Sequence, residues 1–168
     1  MSVINAAVFS LQVRTTGKWY AEVVPTVNVA AALAPDALIG VTYQAAPDEF
    51  ALPTDLGVGA APDGATTFDG VTLTPMAGYA SGDVVGIALD ADAGLVWYSV
   101  AGTFTGDPAA GTSPCNAGFP MAAGSYKIFT SSSPTFFGSG EGFTSVLQAK
   151  AVQQSFSPPT GFLPWEDA

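Results

Sequence analysis

Two apolar runs of strand length lie next to each other in the middle of the chain. The first, residues 84–89, reads Val-Val-Gly-Ile-Ala-Leu, and the second, residues 95–100, reads Leu-Val-Trp-Tyr-Ser-Val. A short connection containing Asp and Gly joins them, which predicts a β-hairpin. Neither face of the first run is polar. We therefore expect this strand to be covered on both sides, as in the middle of a two-layer sandwich.

Shorter strand patterns recur on both sides of the hairpin. They fall at residues 9–13, at 18–24 where Pro25 is expected to end the strand, at 38–43, on either side of Asp69-Gly70 within 66–74, at 126–129, at 143–148 and around 155–156. Many short strands separated by turn signals predict an all-β, antiparallel two-sheet β-sandwich with very little helix. A length of 168 residues fits one domain, 1–168.

Three segments lack a strand pattern. Residues 44–65 and 103–119 are rich in Gly, Pro and small polar residues, and Ser131 to Ser133 predicts a turn. Long loops in a compact domain often carry function. We therefore take binding candidates from the two long loops, namely Asp48, Glu49, Phe50, Phe104 and Asn116.

The charge balance narrows the range of partners. Four basic residues face fourteen acidic ones, for a net charge of −10. Nucleic acid is not expected as a partner because phosphate binding needs a clustered positive surface, and anionic membranes are disfavoured for the same reason. Charged residues make up 11% of the chain, against about 25% in typical soluble domains. A chain with so few charged residues suits a protein that works outside the cytosol or packs into an assembly.

No targeting or membrane segment is expected. The first eleven residues lack the basic start and long apolar core of a signal peptide, and no run approaches the ~20 apolar residues of a membrane span. A surface location would therefore require assembly inside a cell followed by release.

Catalytic and metal chemistry finds little support in the residue pattern. The chain has no histidine, so Cys115, its one cysteine, has no imidazole to activate it. Asp90, Asp92 and Gly94 could begin a calcium loop, but Asp and Gly are also what a hairpin turn selects. A glycosidase needs two carboxylates across a glycosidic bond, and no strand carries a closely spaced pair. We expect no cofactor, no metal and no enzyme activity.

The aromatic residues divide into core candidates and contact candidates. Trp19, Trp97 and Tyr98 lie on predicted strands among apolar neighbours, which favours burial over sugar stacking. Trp165 follows a proline near an acidic tail. It is either a lid on the core or a contact with a neighbouring subunit.

Three motifs resemble the SPRY family, in family order. The family's signature hairpin is similar to the stretch from Gly82, GDVVGIALDADAGLVWYSVAGTFTGDP. Its first long strand is similar to GKWYAEV, which begins at Gly17. Its terminal Pro-x-Gly-Phe element is similar to PPTGF, which begins at Pro158. The Asn-Phe-Gly of the last family strand is missing and is replaced near Val146-Leu147-Gln148. The resemblance implies a bent, jelly-roll-like sandwich of the SPRY and concanavalin type.

The resemblance also implies a function. SPRY domains are rigid scaffolds whose loops at one end recognise peptides or other ligands, without a shared catalytic site. A free-standing acidic example most resembles the SPRY-like proteins of tailed bacteriophages. The first hypothesis is therefore a non-enzymatic virion structural protein (a fibre, spike or capsid decoration), located on the phage particle. Its expected partners are other virion proteins, further copies of itself, and a host-surface protein or glycan. The alternatives are a soluble adaptor that captures a peptide and, third, a glucanase-like hydrolase.

Overall fold

The computed structural model describes residues 6–27, 38–43, 57–68, 71–132 and 143–166, which form two β-sheets packed face to face. The strands, numbered in chain order, are β1 Ala6–Phe9, β2 Lys18–Val27, β3 Leu38–Thr42, β4 Gly57–Ala60, β5 Thr66–Phe68, β6 Val71–Thr72, β7 Val85–Asp90, β8 Leu95–Val100, β9 Thr103–Phe104, β10 Lys127–Ser132, β11 Phe143–Gln148 and β12 Leu163–Pro164. A 3-10 turn, Ala151–Gln153, follows β11. No helix in the described ranges is long and apolar enough to cross a membrane.

The first sheet has the strand order β1-β10-β3-β4-β5-β6, and the second has the order β11-β2-β7-β8-β9. Every pairing is antiparallel except that of β12, which runs parallel to β2. The two sheets are also joined between β10 and β11, where the hydroxyl oxygens of Thr130 and Ser145 lie 2.8 Å apart. The expected all-β antiparallel sandwich of two sheets is confirmed.

The central hairpin forms as its pattern predicts. β7 pairs with β8 from Val85 opposite Val100 to Asp90 opposite Leu95, and residues 91–94 make the turn. Gly94 at the end of the turn has a φ of +66°, in the left-handed region that glycine occupies without strain. Residues 85–89 are all buried, so the prediction that both faces are covered is also confirmed.

The two faces of the second sheet pack against different groups. Its inner face meets the first sheet in the main core, to which it contributes Trp19, Ala21, Val23, Val85, Ile87, Leu89, Val96 and Tyr98. Its outer face carries a smaller apolar cluster of Tyr20, Ala88, Trp97 and Phe162, with Leu95 and Phe104 packed against it. Tyr20 and Trp97 can therefore be buried on the side that faces away from the other sheet. The predicted burial of Trp19, Trp97 and Tyr98 is confirmed.

Other strand predictions hold to within a few residues. Strands occur over 38–42, on either side of Asp69-Gly70, over 127–132 and over 143–148. Asp69 and Gly70 themselves lie outside the described residues. β10 continues through Ser131 and Ser132, so the expectation of a turn there is wrong. Ser131 pairs with Leu38 on one side and Ala7 on the other, and this two-sided pairing outweighs the turn preference of serine.

The prediction that Pro25 ends the second strand is wrong. β2 continues to Val27 and pairs Pro25 with Ser145 on β11. On the other side, the pairing with β7 stops at Val23, so β7 does not require the N–H that proline lacks. The Pro25 carbonyl instead accepts a hydrogen bond from the Gly82 N–H at 2.7 Å.

The alternation predicted for residues 9–13 is also wrong. Ser10 is buried, whereas Leu11 is 95% exposed and Val13 is 40% exposed. The Ser10 hydroxyl accepts a hydrogen bond from the Ile128 N–H at 3.1 Å and donates one to the Gln12 carbonyl at 3.0 Å. A serine that bonds the neighbouring backbone in this way is turned inward, and the apolar residue after it is turned out.

Two predicted loops contain strands, and one predicted strand is irregular. β4 lies within 44–65 and is entirely buried, and its small residues give no alternation from which to predict it. β9 lies within 103–119. Residues 155–156 form no strand, because their N–H groups bind a side chain on β2.

Candidate functional site

A group of hydrogen-bonded turns at one end of the sandwich forms a candidate surface. We define the loop face as residues 91–94 and 116–126. The two segments are joined by a hydrogen bond from the Met121 N–H to the Gly94 carbonyl at 2.9 Å. Tyr126 closes this segment, donating from its hydroxyl to the Ala122 carbonyl at 2.9 Å. Burial raises the pKa of Tyr126, and the nearby carboxylates of Asp90 and Asp92 raise it further.

Asn116 supports the loop face from inside. Its side chain is completely buried. Its oxygen accepts the Val96 N–H at 2.9 Å, and its nitrogen donates to the carbonyls of Gly94 at 2.8 Å and Phe119 at 3.1 Å. The amide therefore has no free face for a ligand. The expectation that Asn116 contacts a partner is replaced by a structural role in fixing the turns.

Phe119 is the exposed aromatic of the loop face. Its ring is 46% exposed, and its N–H donates to the Asn116 carbonyl at 2.9 Å. Because the backbone that carries this ring is already fixed by hydrogen bonds, binding does not have to order the turn, which suits Phe119 to be a contact residue. Sequence reasoning overlooked Phe119 because it lies at the end of a loop rich in small residues, without a pattern of its own.

Asp48, Glu49 and Phe50 lie outside the described residues. The last described residue before them is Tyr43, whose ring packs 6.2 Å from that of Phe68. A Cβ placed on Gly124 would come within 2.6 Å of the Tyr43 carbonyl, so Tyr43 lies against the loop face.

Phe104 lies on the outer face of the second sheet instead. It is half-buried, and its ring centroid is 6.2 Å from that of Tyr20. It therefore forms part of the outer cluster and is less accessible than a loop aromatic.

Trp165 fills the chain's own core, the first of the two alternatives left by the sequence. It is fully buried in the main core. The backbone N–H of Trp165 donates to the Tyr20 carbonyl at 2.8 Å, and the Arg14 guanidinium donates to the backbone carbonyl of Trp165. The guanidinium of Arg14 also stacks 3.8 Å from the ring of Trp19. The indole is therefore not available for contact with another subunit.

Asp90 serves the hairpin turn. One carboxylate oxygen accepts the Ala93 N–H at 3.0 Å, and the other pairs with Lys18 at 3.3 Å. Within the described ranges, no group of three His, Cys, Asp or Glu side chains could hold a metal ion. Cys115 is buried, and burial raises the pKa of its thiol well above the ordinary value, which disfavours the reactive thiolate.

The most unusual polar group is the buried carboxylate of Glu22 on β2. It is fully buried on the outer face of the second sheet and accepts hydrogen bonds from the Tyr20 hydroxyl at 2.9 Å, the Ser155 N–H at 2.6 Å and the Phe156 N–H at 2.8 Å. In the sequence, Glu22 is the one acidic residue of the strand predicted over residues 18–24. Its partners come from a segment more than 130 positions away, and local pattern carries no signal for such a contact.

Comparisons with known proteins give one informative result. No family model matches the chain, and no curated protein matches it by sequence. Among solved structures, the SPRY domain of human HERC1 superposes with a TM-score of 0.61 and 13% sequence identity, covering 86% of this chain and 82% of that one. Identity at this level bears on the fold alone. The chain therefore has the SPRY fold, an all-β sandwich of two antiparallel sheets.

Proposed function

We propose that this domain is a non-catalytic binding module that recognises a protein partner through the loop face. The observation that carries the proposal is the internal bracing of that face. The buried Asn116 amide bonds Gly94 in one segment, Phe119 in the other and Val96 on the adjoining strand β8, while Phe119 is left 46% exposed. A contact ring on a pre-ordered backbone is the arrangement that binding favours.

The buried carboxylate supports a binding role rather than a hydrolytic one. A general acid or nucleophile of a glycosidase has to reach the glycosidic oxygen or carbon. Glu22 is fully buried and directs its oxygens at the hydroxyl and N–H groups of its own chain.

The setting we propose is the surface of a tailed-phage particle, as a fibre, spike or capsid decoration. Its support is the motif resemblance together with a chain that is sparsely charged, with 11% charged residues, and acidic, with a net charge of −10. In that setting the domain assembles with copies of itself and with other virion proteins, and the loop face meets a protein on the host surface. Virion proteins form symmetric assemblies, whereas a peptide-capturing adaptor works as a monomer.

The first experiment combines native mass with binding. Light scattering gives the oligomeric state, and sedimentation with purified phage capsids and with intact bacterial cells gives binding. A defined oligomer that binds either target supports the virion setting. A monomer that binds neither contradicts it and favours the adaptor.

A second experiment tests the loop face itself. Phe119→Ala should reduce that binding at least tenfold while leaving the melting temperature nearly unchanged. Val152→Ala, a change to a 92% exposed apolar side chain that is not part of the loop face, is the matched control and should bind as the unaltered protein does. Full binding by Phe119→Ala would show that the loop face is not the contact surface.

A further inference from the structure

A segment near the end of the described chain crosses the outer face of the second sheet. We define the strap as residues 154–162. It follows the 3-10 turn, passes over Glu22 at Ser155 and Phe156, and reaches Phe162, whose ring packs edge-on to Trp97 at a centroid distance of 6.3 Å. The strap covers Trp97 and Tyr20 on the side away from the main core.

The backbone of the strap makes no ladder with the sheet. Its backbone–backbone hydrogen bonds in the described chain are local, from Gln154 N–H to the Ala151 carbonyl at 3.3 Å and from Phe162 N–H to the Pro159 carbonyl at 2.9 Å. The Gln154 side chain reaches the Tyr20 carbonyl at 3.2 Å, but its own oxygen is buried without a partner. Strand pairing therefore does not hold the middle of the strap, and its closed position leaves one polar atom unsatisfied.

Glu22 supplies the missing attachment. Its two oxygens bind the consecutive N–H groups of Ser155 and Phe156. Tyr20 and Gln148 hold the carboxylate from the sheet side: the Tyr20 hydroxyl donates to one oxygen, and the Gln148 amide lies 2.9 Å from the other when its nitrogen faces it. Four donors thus converge on one side chain, and a carboxylate has enough lone pairs to accept all four.

The charge on Glu22 is what makes this arrangement work. A neutral carboxyl or amide carries hydrogen on one side, and a backbone N–H cannot turn to accept it. Among the groups that touch Glu22, from β2, β11 and the strap, Tyr20 is the one other titratable side chain. Burial and the neighbouring Glu22 charge raise the pKa of Tyr20, so it remains a neutral donor in acid and at neutral pH. The four donor contacts therefore depend on the negative charge of the Glu22 carboxylate.

We propose that Glu22 is a charge-dependent latch: while ionised it holds the strap closed, and its neutralisation releases residues 154–162 as a unit from a sandwich that stays folded. Release uncovers Trp97 and Tyr20, an aromatic surface separate from the loop face. The latch is independent of the proposed recognition role.

Amide hydrogen exchange on Glu22→Gln tests the latch. The Ser155 and Phe156 amides should exchange roughly 10- to 100-fold faster, the loss expected when a hydrogen bond to a charged group is removed. The amides of Ile87 and Leu89 in the central hairpin, whose side chains lie in the main core, should keep their protection. The control is Asp83→Asn, which neutralises a carboxylate that accepts the Ala80 N–H at 2.7 Å in an exposed turn and should leave exchange in the strap unchanged.

The unaltered protein gives a second test, which does not require Glu22→Gln to fold. As the pH is lowered, and after correction for intrinsic exchange rates, Ser155 and Phe156 should lose protection before the hairpin does. Simultaneous loss at both places, or equal acceleration of all core amides in Glu22→Gln, would show that Glu22 supports the whole fold rather than the strap. Unchanged strap exchange in both tests would also overturn the latch.

Discussion

The side-chain oxygen of Asn116 takes the place of a strand beside Val96. The Val96 N–H donates to it at 2.9 Å, while the Val96 carbonyl accepts the Cys115 N–H at 2.9 Å. β9 pairs with β8 only at Ser99 and Val100, so this part of the β8 edge is completed by one residue's backbone and the next residue's side chain. The second sheet and the loop face therefore share a boundary.

Replacing Asn116 should weaken the whole domain. Asn116→Ala removes the acceptor of the buried Val96 N–H and the amide donor to the carbonyls of Gly94 and Phe119, although the Gly94 carbonyl keeps its bond from the Met121 N–H. The expected loss of unfolding free energy is roughly 2–4 kcal/mol. Urea unfolding followed by tryptophan fluorescence measures it. Thr103→Ala, at an exposed position early in the same segment, is the control and should change stability little. Equal effects from the two changes would contradict the bracing role.

Trp97 should contribute more than any exposed aromatic. It is fully buried, packs against Phe162 and donates from its ring N–H to the Thr112 carbonyl at 2.9 Å. Trp97→Ala should cost roughly 3–5 kcal/mol of unfolding free energy. Trp97→Phe, which keeps most of the apolar area, should cost less. A stable Trp97→Ala protein, measured by thermal and urea unfolding, would refute the packing of the outer face described above.

Gly86 should tolerate no side chain while its neighbours are intact. A Cβ there would lie 2.3 Å from the Ser99 hydroxyl oxygen and 2.8 Å from the Tyr20 hydroxyl oxygen. Gly86→Ala should destabilise the fold by roughly 1–3 kcal/mol through overpacking. The double change Gly86→Ala with Ser99→Ala removes the nearer clash and should recover part of that loss. Additive losses in the double variant would show that the two positions do not interact.

At alkaline pH the domain should unfold, and its buried tyrosines should ionise in the same transition. Burial is the first cause that raises the pKa of Tyr20, Tyr79 and Tyr98, so the folded state disfavours their charged form. The unfolded chain ionises at the ordinary value of about 10. The stability these residues contribute is therefore complete below that pH and is lost as the pH rises towards their folded-state values. Absorbance of tyrosinate should rise together with loss of folded structure. Gradual ionisation of these three in a protein that stays folded would contradict their burial.

The regular part of the fold was predictable because its signals are local. Two apolar runs and a Gly-containing turn, all within twenty residues, predict the hairpin of β7 and β8. β4 gives no such signal, because glycine and alanine supply three of its four residues and leave no alternation. Pro25 was misjudged because its effect depends on whether a neighbouring strand needs its N–H, which only the pairing reveals.

The site residues were harder to predict because exposure depends on distant contacts. Asn116 lies in a predicted loop, yet its side-chain amide is hydrogen-bonded to Val96 and Gly94, which lie twenty or more positions earlier. The partners of Glu22 are more distant still, at Ser155 and Phe156. A pattern read along the chain finds groups that could bind something but does not find which of them the fold already uses.

The placement of Trp165 has a consequence for how the protein is made. Its ring belongs to the main core, and β12 beside it pairs with Trp19 and Tyr20 on β2. The early strands leave the ribosome long before residue 165 is synthesised. During that time β2 lacks its pairing with β12 at Trp19 and Tyr20. Closing a contact over so much chain is slow. We therefore expect nascent chains shorter than this point to depend on chaperones, and the domain to mature only after residue 165 has left the ribosome.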